Sequence, residues 1–257
     1  MLPDQERQLI TDRVAARIRN RIIPAARYLA TDDFESRLIE KECRQLLDAS
    51  PYYGHLVYGI ACTMWGNEDG VRYHFRKALE AQSNDLGQAL FFHAQSLSNL
   101  GHFSEALALL QEALAPQNGF FTDRAALAPA IGAFHTLKLR AAEAERMNIQ
   151  LPDSFPAEAA RKAAELLESY GTSDADVAAV LDVAGEVLRR RRLFFLGKGP
   201  RWSIVDHPEL HAVHFLYEVD QTVDEVADMN FEFAELLARR DGAIPESVVV
   251  SFTGRRS

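Results

Sequence analysis

The sequence predicts a mainly helical protein that ends in a small α+β domain. Apolar residues at helical spacing, broken by glycine and proline, run through residues 1–150. Three runs of strand length, rich in β-branched and aromatic residues, follow residue 200. We therefore expect a helical domain over 1–150 and an α+β domain over 151–257, with the element order α-α-β-β-α-β.

The composition is that of a globular protein. Of 257 residues, 47% are hydrophobic and 25% are charged, which supplies ample apolar material for a core. The net charge of −9, with both halves acidic, argues against a nucleic-acid partner. No run of 18 apolar residues predicts a membrane span, and the start MLPDQERQLI lacks a signal-peptide pattern, so we expect a cytoplasmic protein.

Two helices are predicted before residue 51. The first covers residues 4–30, with a kink or an end at Pro24, because proline cannot continue a regular helix. The second begins after Asp32 or Asp33, either of which suits an N-cap, and it ends before Pro51.

Residues 52–116 contain an internal repeat. Gly66 and Gly101 are 35 residues apart, and the same shift relates four further pairs at small or apolar positions. These pairs are Gly59 and Ala94, Val71 and Ala106, Phe75 and Leu110, and Ala78 and Ala113. Each unit is predicted to be a helix, a glycine turn and a second helix, with the small residues placed where the two helices cross closely.

The second unit resembles a tetratricopeptide repeat. The matching positions are Leu90, Ala94, Leu97, Gly101, Phe103, Ala106, Leu110 and Ala113. The first unit keeps Gly59, Gly66, Phe75 and Ala78 but departs elsewhere. This resemblance, confined to the central region, implies stacked helical hairpins and a role in binding a protein or peptide.

The resemblance also implies an inner face built by the first helix of each unit. Its partner-binding candidates are Tyr53, Leu56, Ile60 and Met64 from the first unit, and Gln88, Phe91, Gln95 and Asn99 from the second. Apolar and amide groups of this kind favour a helix or an extended segment as ligand, rather than a peptide carboxylate. The alternative is that neighbouring helices of the same chain cover this face.

The C-terminal part should hold three helices and three strands. Helices are predicted over 157–171 and 173–192, the second with Ser173 or Asp174 as its N-cap, and strands over 201–205, 212–219 and 247–252. A third helix between the last two strands begins after Thr222 and ends at Gly242.

A basic stretch precedes the first strand. Its anion-binding candidates are Arg189, Arg190, Arg191, Arg192, Lys198 and Arg201. The alternative is that these cations pair with the acidic residues between Glu218 and Glu235, within the domain or between protomers. That acidic stretch suggests a second function, in which a regulatory or immunity-type protein neutralises a basic partner through its C-terminal domain.

Catalytic and metal motifs are scarce in the sequence. The segment from Asp206 to His214 has three histidines and two carboxylates, and a metal-dependent enzyme would use its His207–His214 part, but the spacing fits a hairpin turn better. Cys43 and Cys62 lie in helical patterns and are predicted to be buried thiols. We therefore expect no metal and no cofactor, and an interaction scaffold or adaptor, either with a partner protein or as a homo-oligomer, rather than an enzyme.

Overall fold

The computed structural model describes residues 12–14, 16–17, 26–81, 86–115, 124–149, 157–195 and 199–254. The helices are α1 Phe34–Ala49, α2 Pro51–Met64, α3 Glu68–Glu80, α4 Leu86–Asn99, α5 Phe103–Ala113, α6 Phe134–Arg146, α7 Ala157–Ser169, α8 Asp174–Arg190 and α9 Val223–Ala238, with a 3₁₀ helix over Ala128–Ile131. The strands are β1 Ala26–Arg27, β2 Leu193–Phe194, β3 Arg201–His207, β4 Leu210–Val219 and β5 Val248–Gly254. This confirms the predicted fold class.

The central helices form paired antiparallel hairpins, α2 with α3 and α4 with α5. Gly66 and Gly101 end the first helix of each pair with φ of +65° and +79°, values that glycine adopts without strain. At Gly59 an added Cβ would lie 2.7 Å from the ring of Phe75. The small residue therefore permits the close helix crossing that the repeat predicts.

The N-terminal segment departs from its prediction. Ala26 and Arg27 form strand β1, which pairs antiparallel with Phe194 and Leu193 of β2, and Tyr28 N donates to Arg192 O at 3.0 Å. The predicted helix through residue 30 is therefore wrong at its end, because these residues take their hydrogen bonds from a distant strand. Residues 12–14 and 16–17 are helical, and Pro24 lies outside the described residues.

The predicted caps of three helices are present. Asp33 accepts from Glu35 N at the start of α1. Ser173 and Thr222 each open their helix with a reciprocal capping box, formed with Asp176 and Glu225.

The C-terminal sheet has the order β3-β4-β5, with β3 antiparallel and β5 parallel to β4. Its inner face carries Phe215 and Tyr217 of β4. Phe134 at the start of α6 packs on Trp202 and Phe215, with ring centroids 4.9 and 6.1 Å apart. One apolar core therefore joins the hairpins to the sheet.

Helix α8 connects the two parts most closely. Gly185 lies against Gly101, so that a Cβ on Gly185 would sit 2.0 Å from Gly101 O. Asp182 Oδ1 accepts from the backbone N–H of Phe103 and Ser104 at 2.5 and 3.2 Å. The predicted boundary at residue 150 therefore remains a prediction, while the packing across it is extensive.

The two cysteines are buried, as predicted. Burial raises the pKa of the Cys62 thiol to about 12, and it raises that of Cys43 as well. Within the described part of the chain, no helix has the length and apolar character that crossing a membrane requires.

Candidate functional site

The eight partner-binding candidates lie on two adjacent helices. Tyr53, Leu56, Ile60 and Met64 belong to α2, and Gln88, Phe91, Gln95 and Asn99 belong to α4. In the structure Leu56 and Met64 are buried and belong to the hydrophobic core. Ile60 is half-buried and packs against the same core.

One end of this face is open to solvent. We define the open end by Tyr53 and Gln88. Tyr53 is 48% exposed and meets Tyr52 edge to face, with ring centroids 5.0 Å apart. The Tyr52 hydroxyl donates to Gln88 Oε1 at 3.3 Å, which ties the two helices together at this point. The open end thus presents the half-exposed ring of Tyr53 next to Tyr52, whose hydroxyl links α2 to Gln88 of α4.

The other end is covered by the chain itself. We define the covered end by Phe91, Gln95 and Asn99 of α4. Asn99 O accepts from Phe195 N at 3.1 Å, which brings the segment after β2 onto α4. The three residues line a cavity of about 160 Å³ together with Ser98, Phe103, Ala126, Leu127, Ala130, Phe195, Gly199, Pro200 and Tyr217.

The anion-binding candidates at the end of α8 are engaged within the chain. Arg189 donates to the carbonyl oxygens of Leu100 and Gly101. Arg190 donates to Glu232 Oε1 at 3.0 Å, and Arg191 binds the other oxygen of the same carboxylate. Arg190 and Arg191 thus hold α8 to α9 through a residue of the acidic stretch, as the pairing alternative expects, whereas Arg189 holds α8 to the α4–α5 turn through backbone carbonyls.

The remaining cations are more dispersed. Arg192 has a φ of +57° and lies 5.9 Å from the centre of the Tyr28 ring. Arg201 pairs with Glu218 at 3.0 Å on the outer face of the sheet. Lys198 lies outside the described residues, so anion binding at this stretch remains a prediction.

The histidines of the β3–β4 hairpin do not converge. His211 Nδ1 lies 3.0 Å from Asp206 Oδ1, whereas His214 points to the opposite face and contacts Ser251 Oγ at 2.8 Å. His207 Nδ1 accepts from Glu209 N in the turn. Within the described ranges, no group of three or more His, Cys, Asp or Glu side chains is arranged to hold a metal.

Sequence reasoning missed one polar cluster. Asp174, buried at the start of α8, accepts from the backbone N–H of His135 and Thr136 at 2.9 and 2.8 Å, and from the Thr136 hydroxyl at 2.8 Å. His135 Nδ1 lies 2.9 Å from the same carboxylate. Because Asp174 satisfies the N-terminal amides of α6, its role is to cap that helix from a distant position. The position of Asp174 at the predicted N-terminus of α8 does not indicate that its side chain caps α6.

A second missed residue is Tyr217. Its place in the alternating run AVHFLYEV predicts an inward side chain, but the sequence does not show that its hydroxyl lacks a partner. Tyr217 is among the residues that line the cavity of the covered end.

No protein-family model, curated protein or solved structure matches the chain. The architecture established here is therefore that of paired antiparallel helices followed by an α+β part. Any function has to be argued from the geometry of the described residues.

Proposed function

We propose that this protein is an interaction scaffold or adaptor of tetratricopeptide-like hairpins that binds a partner protein at the open end. The observation that carries the proposal is the half-exposed ring of Tyr53, which packs on Tyr52, the residue that binds Gln88. Exposed tyrosines are favoured in protein interfaces because they bury a large apolar area and still satisfy their hydroxyl. A helix or an extended segment suits such a groove.

The position of the open end supports this choice. Phe195, Gly199 and Pro200 of the same chain lie against the end of the face that carries Gln95 and Asn99, so a partner has access at Tyr53 and not at the covered end. The backbone under Tyr53 is held by core residues such as Leu56 and Val57. A rigid, exposed aromatic group loses little conformational freedom when it is bound.

The test uses two tyrosines of nearly equal exposure. Tyr53→Glu changes the open end, and Tyr170→Glu changes a residue that is 46% exposed after α7. In affinity capture from the source lysate with quantitative mass spectrometry, a partner should be retained by the wild type and by Tyr170→Glu but lost with Tyr53→Glu.

Light scattering of the same variants tests the homo-oligomer, since a second copy at this site would make the wild type larger than Tyr53→Glu. If Tyr53→Glu, folded by circular dichroism, keeps every association, the proposal is wrong.

A second candidate function rests on the outer face of α9. Asp224, Asp228 and Glu235 are exposed there around Phe231, which is 73% exposed. These residues recur at helical spacing and so share one face. We propose as the alternative that this face neutralises a basic partner, whose cations would meet the carboxylates while Phe231 fills an apolar recess.

Charge reversal separates this alternative from the first. The double variant Asp224→Lys with Asp228→Lys should lose a partner whose binding weakens steeply with salt. Glu145→Lys, at an exposed position on α6, is the control. If the association survives the double variant and is insensitive to salt, α9 is not the binding surface.

A further inference from the structure

The cavity of the covered end has mainly apolar walls. Rings of Phe91, Phe103, Phe195 and Tyr217 line it from the hairpins and the C-terminal part. Gln95 and Asn99 bring amide side chains to the same space, one turn apart on α4. Among the described residues that line the cavity none is charged. Apolar walls with a few polar groups are typical of small-molecule sites.

Small residues create the space and its opening. Ala126 and Gly199 are exposed and mark the side that faces solvent. Gly199 also approaches Ala130 so closely that an added Cβ would lie 2.5 Å from Ala130 Cβ. Larger side chains at these positions would fill the mouth.

The size of the cavity limits its occupant. Its volume of about 160 Å³ is close to the roughly 150 Å³ of an apolar cavity known to hold benzene. One aromatic ring with a small substituent therefore fits in this space.

Tyr217 is one of the residues that line this cavity, and its hydroxyl has an unmet hydrogen bond. The side chain is 0% exposed, and its hydroxyl has no partner among the described residues. The ring is fixed between Phe195 and Phe252, with centroids 5.5 and 5.3 Å away. Burial, together with the charge of Asp182, raises the pKa of Tyr217 well above its usual value, so the hydroxyl keeps its proton and can donate it. A buried hydroxyl without a partner is destabilising, and a ligand that accepts its proton removes that penalty.

We infer that the covered end is a binding site for a small, uncharged, single-ring aromatic molecule with one hydrogen-bonding group, anchored by the Tyr217 hydroxyl. The ring occupies the space between the phenylalanines. The polar group meets Tyr217 and the amides of Gln95 and Asn99. A charged ligand is disfavoured because none of the described lining side chains compensates its lost hydration.

The test compares phenol, benzene and benzoate as probes of the full-length protein by NMR titration. Phenol should bind at least tenfold more tightly than benzene, a difference of about 1.4 kcal/mol, and benzoate should bind most weakly. In Tyr217→Phe the preference for phenol over benzene should shrink, while the unliganded variant becomes more resistant to urea because its orphaned hydroxyl is gone. A merely structural role of Tyr217 would not change the ratio of the two probes.

A blocking variant locates the site. Ala126→Trp lies at an exposed position, so it should fold and abolish phenol binding by filling the mouth. The proposal is overturned if phenol shows no saturable binding, if it binds no more tightly than benzene, or if folded Ala126→Trp binds it unchanged. Tyr217→Phe adds no atom and keeps the test valid should Ala126→Trp fail to fold. Tyr53→Glu should bind phenol like the wild type, so this test can fail or succeed independently of partner binding.

Discussion

The two hairpins share one sequence pattern but have different neighbours. In the first, the turn at Gly66 packs on the ring of Tyr28, and the inner helix leaves Tyr53 exposed. In the second, the turn at Gly101 packs on Gly185 of α8, and the inner helix is covered at Asn99. Equivalent positions of a repeat thus become an open surface or an internal wall, depending on which distant element reaches them.

The caps of the outer helices show the same difference. Asn67 caps α3 with its own side chain by accepting from Gly70 N at 2.9 Å. The equivalent residue of the second hairpin, His102, makes no such bond, and α5 receives its cap from Asp182 of α8. The first hairpin is therefore complete locally, whereas the second depends on the C-terminal part.

Separating α8 from the second hairpin should have the largest effect. In Gly185→Ala the new Cβ would overlap Gly101 O, so the backbones must move apart, and we expect a loss of about 3 kcal/mol in the free energy of unfolding. Gly171→Ala is the control, because its Cβ meets nothing within 4 Å and only the left-handed φ of +66° opposes it, at about 1 kcal/mol. Urea unfolding measures both. Equal losses of the free energy of unfolding in Gly185→Ala and Gly171→Ala would contradict the close packing of α8 on Gly101.

Removing the distant cap should have the next largest effect. Asp182→Ala leaves two amides and a helix N-terminus without their carboxylate, for which we expect about 2 kcal/mol of destabilisation. Asn67→Ala removes a neutral, local cap and should cost about 1 kcal/mol.

A rescue variant sharpens this prediction. In the Asp182→Ala background, His102→Asn places a local cap at the position equivalent to Asn67, and it should recover part of the lost free energy of unfolding. In the wild-type background the same change should recover nothing, since the amides are already bound. No recovery in the first background would indicate that Asp182 acts through α8 packing instead.

The interface between the hairpins should give the smallest effect, which depends on pH. His93 of α4 stacks on Phe75 of α3, with ring centroids 4.9 Å apart, and both ring nitrogens are buried with no hydrogen-bond partner among the described residues. Burial lowers the pKa of His93 from 6.5 to about 4. The unfolded chain therefore takes up a proton before the folded chain does, and stability falls as the pH drops from about 6.5 towards about 4.

The measurement is urea unfolding at about pH 7.5 and about pH 5.5. His93 should account for about 1 kcal/mol of the loss between them, and His93→Phe should remove that share. His74 has a pKa lowered to about 4, also chiefly by burial, so some pH dependence will remain. If the free energy of unfolding of His93→Phe depends on pH as strongly as that of the wild type, His93 is not a neutral, buried imidazole.

Much of the architecture was predictable because its signals are local. The glycine turns at Gly66 and Gly101, the caps Asp33, Ser173 and Thr222, and the strand runs each depend on a few neighbouring residues, and the structure confirms them. The two-residue strand β1 was not predicted because it has no sequence pattern of its own. It forms because it pairs with β2.

The candidate site was predicted less completely. The sequence placed Tyr53 and Gln88 on an inner face, where the structure finds the open end, but the same spacing also selected the core residues Leu56 and Met64. Periodicity identifies a helix face without showing what packs on it. The cavity and the unmet hydroxyl of Tyr217 arise from segments far apart in sequence, so no local signal could have revealed them.

The sequence by itself determined the helices, the glycine turns, the strands and the predominantly acidic charge, since each follows from the conformational and solvation preferences of neighbouring residues. The tertiary structure alone decided that α8 caps and covers the second hairpin, that Arg190 and Arg191 bind Glu232, and that one end of the inner face is left open. The physical reason is that burial and hydrogen-bond pairing are properties of surfaces brought together by folding, and the residues that meet there are separated by tens of positions along the chain.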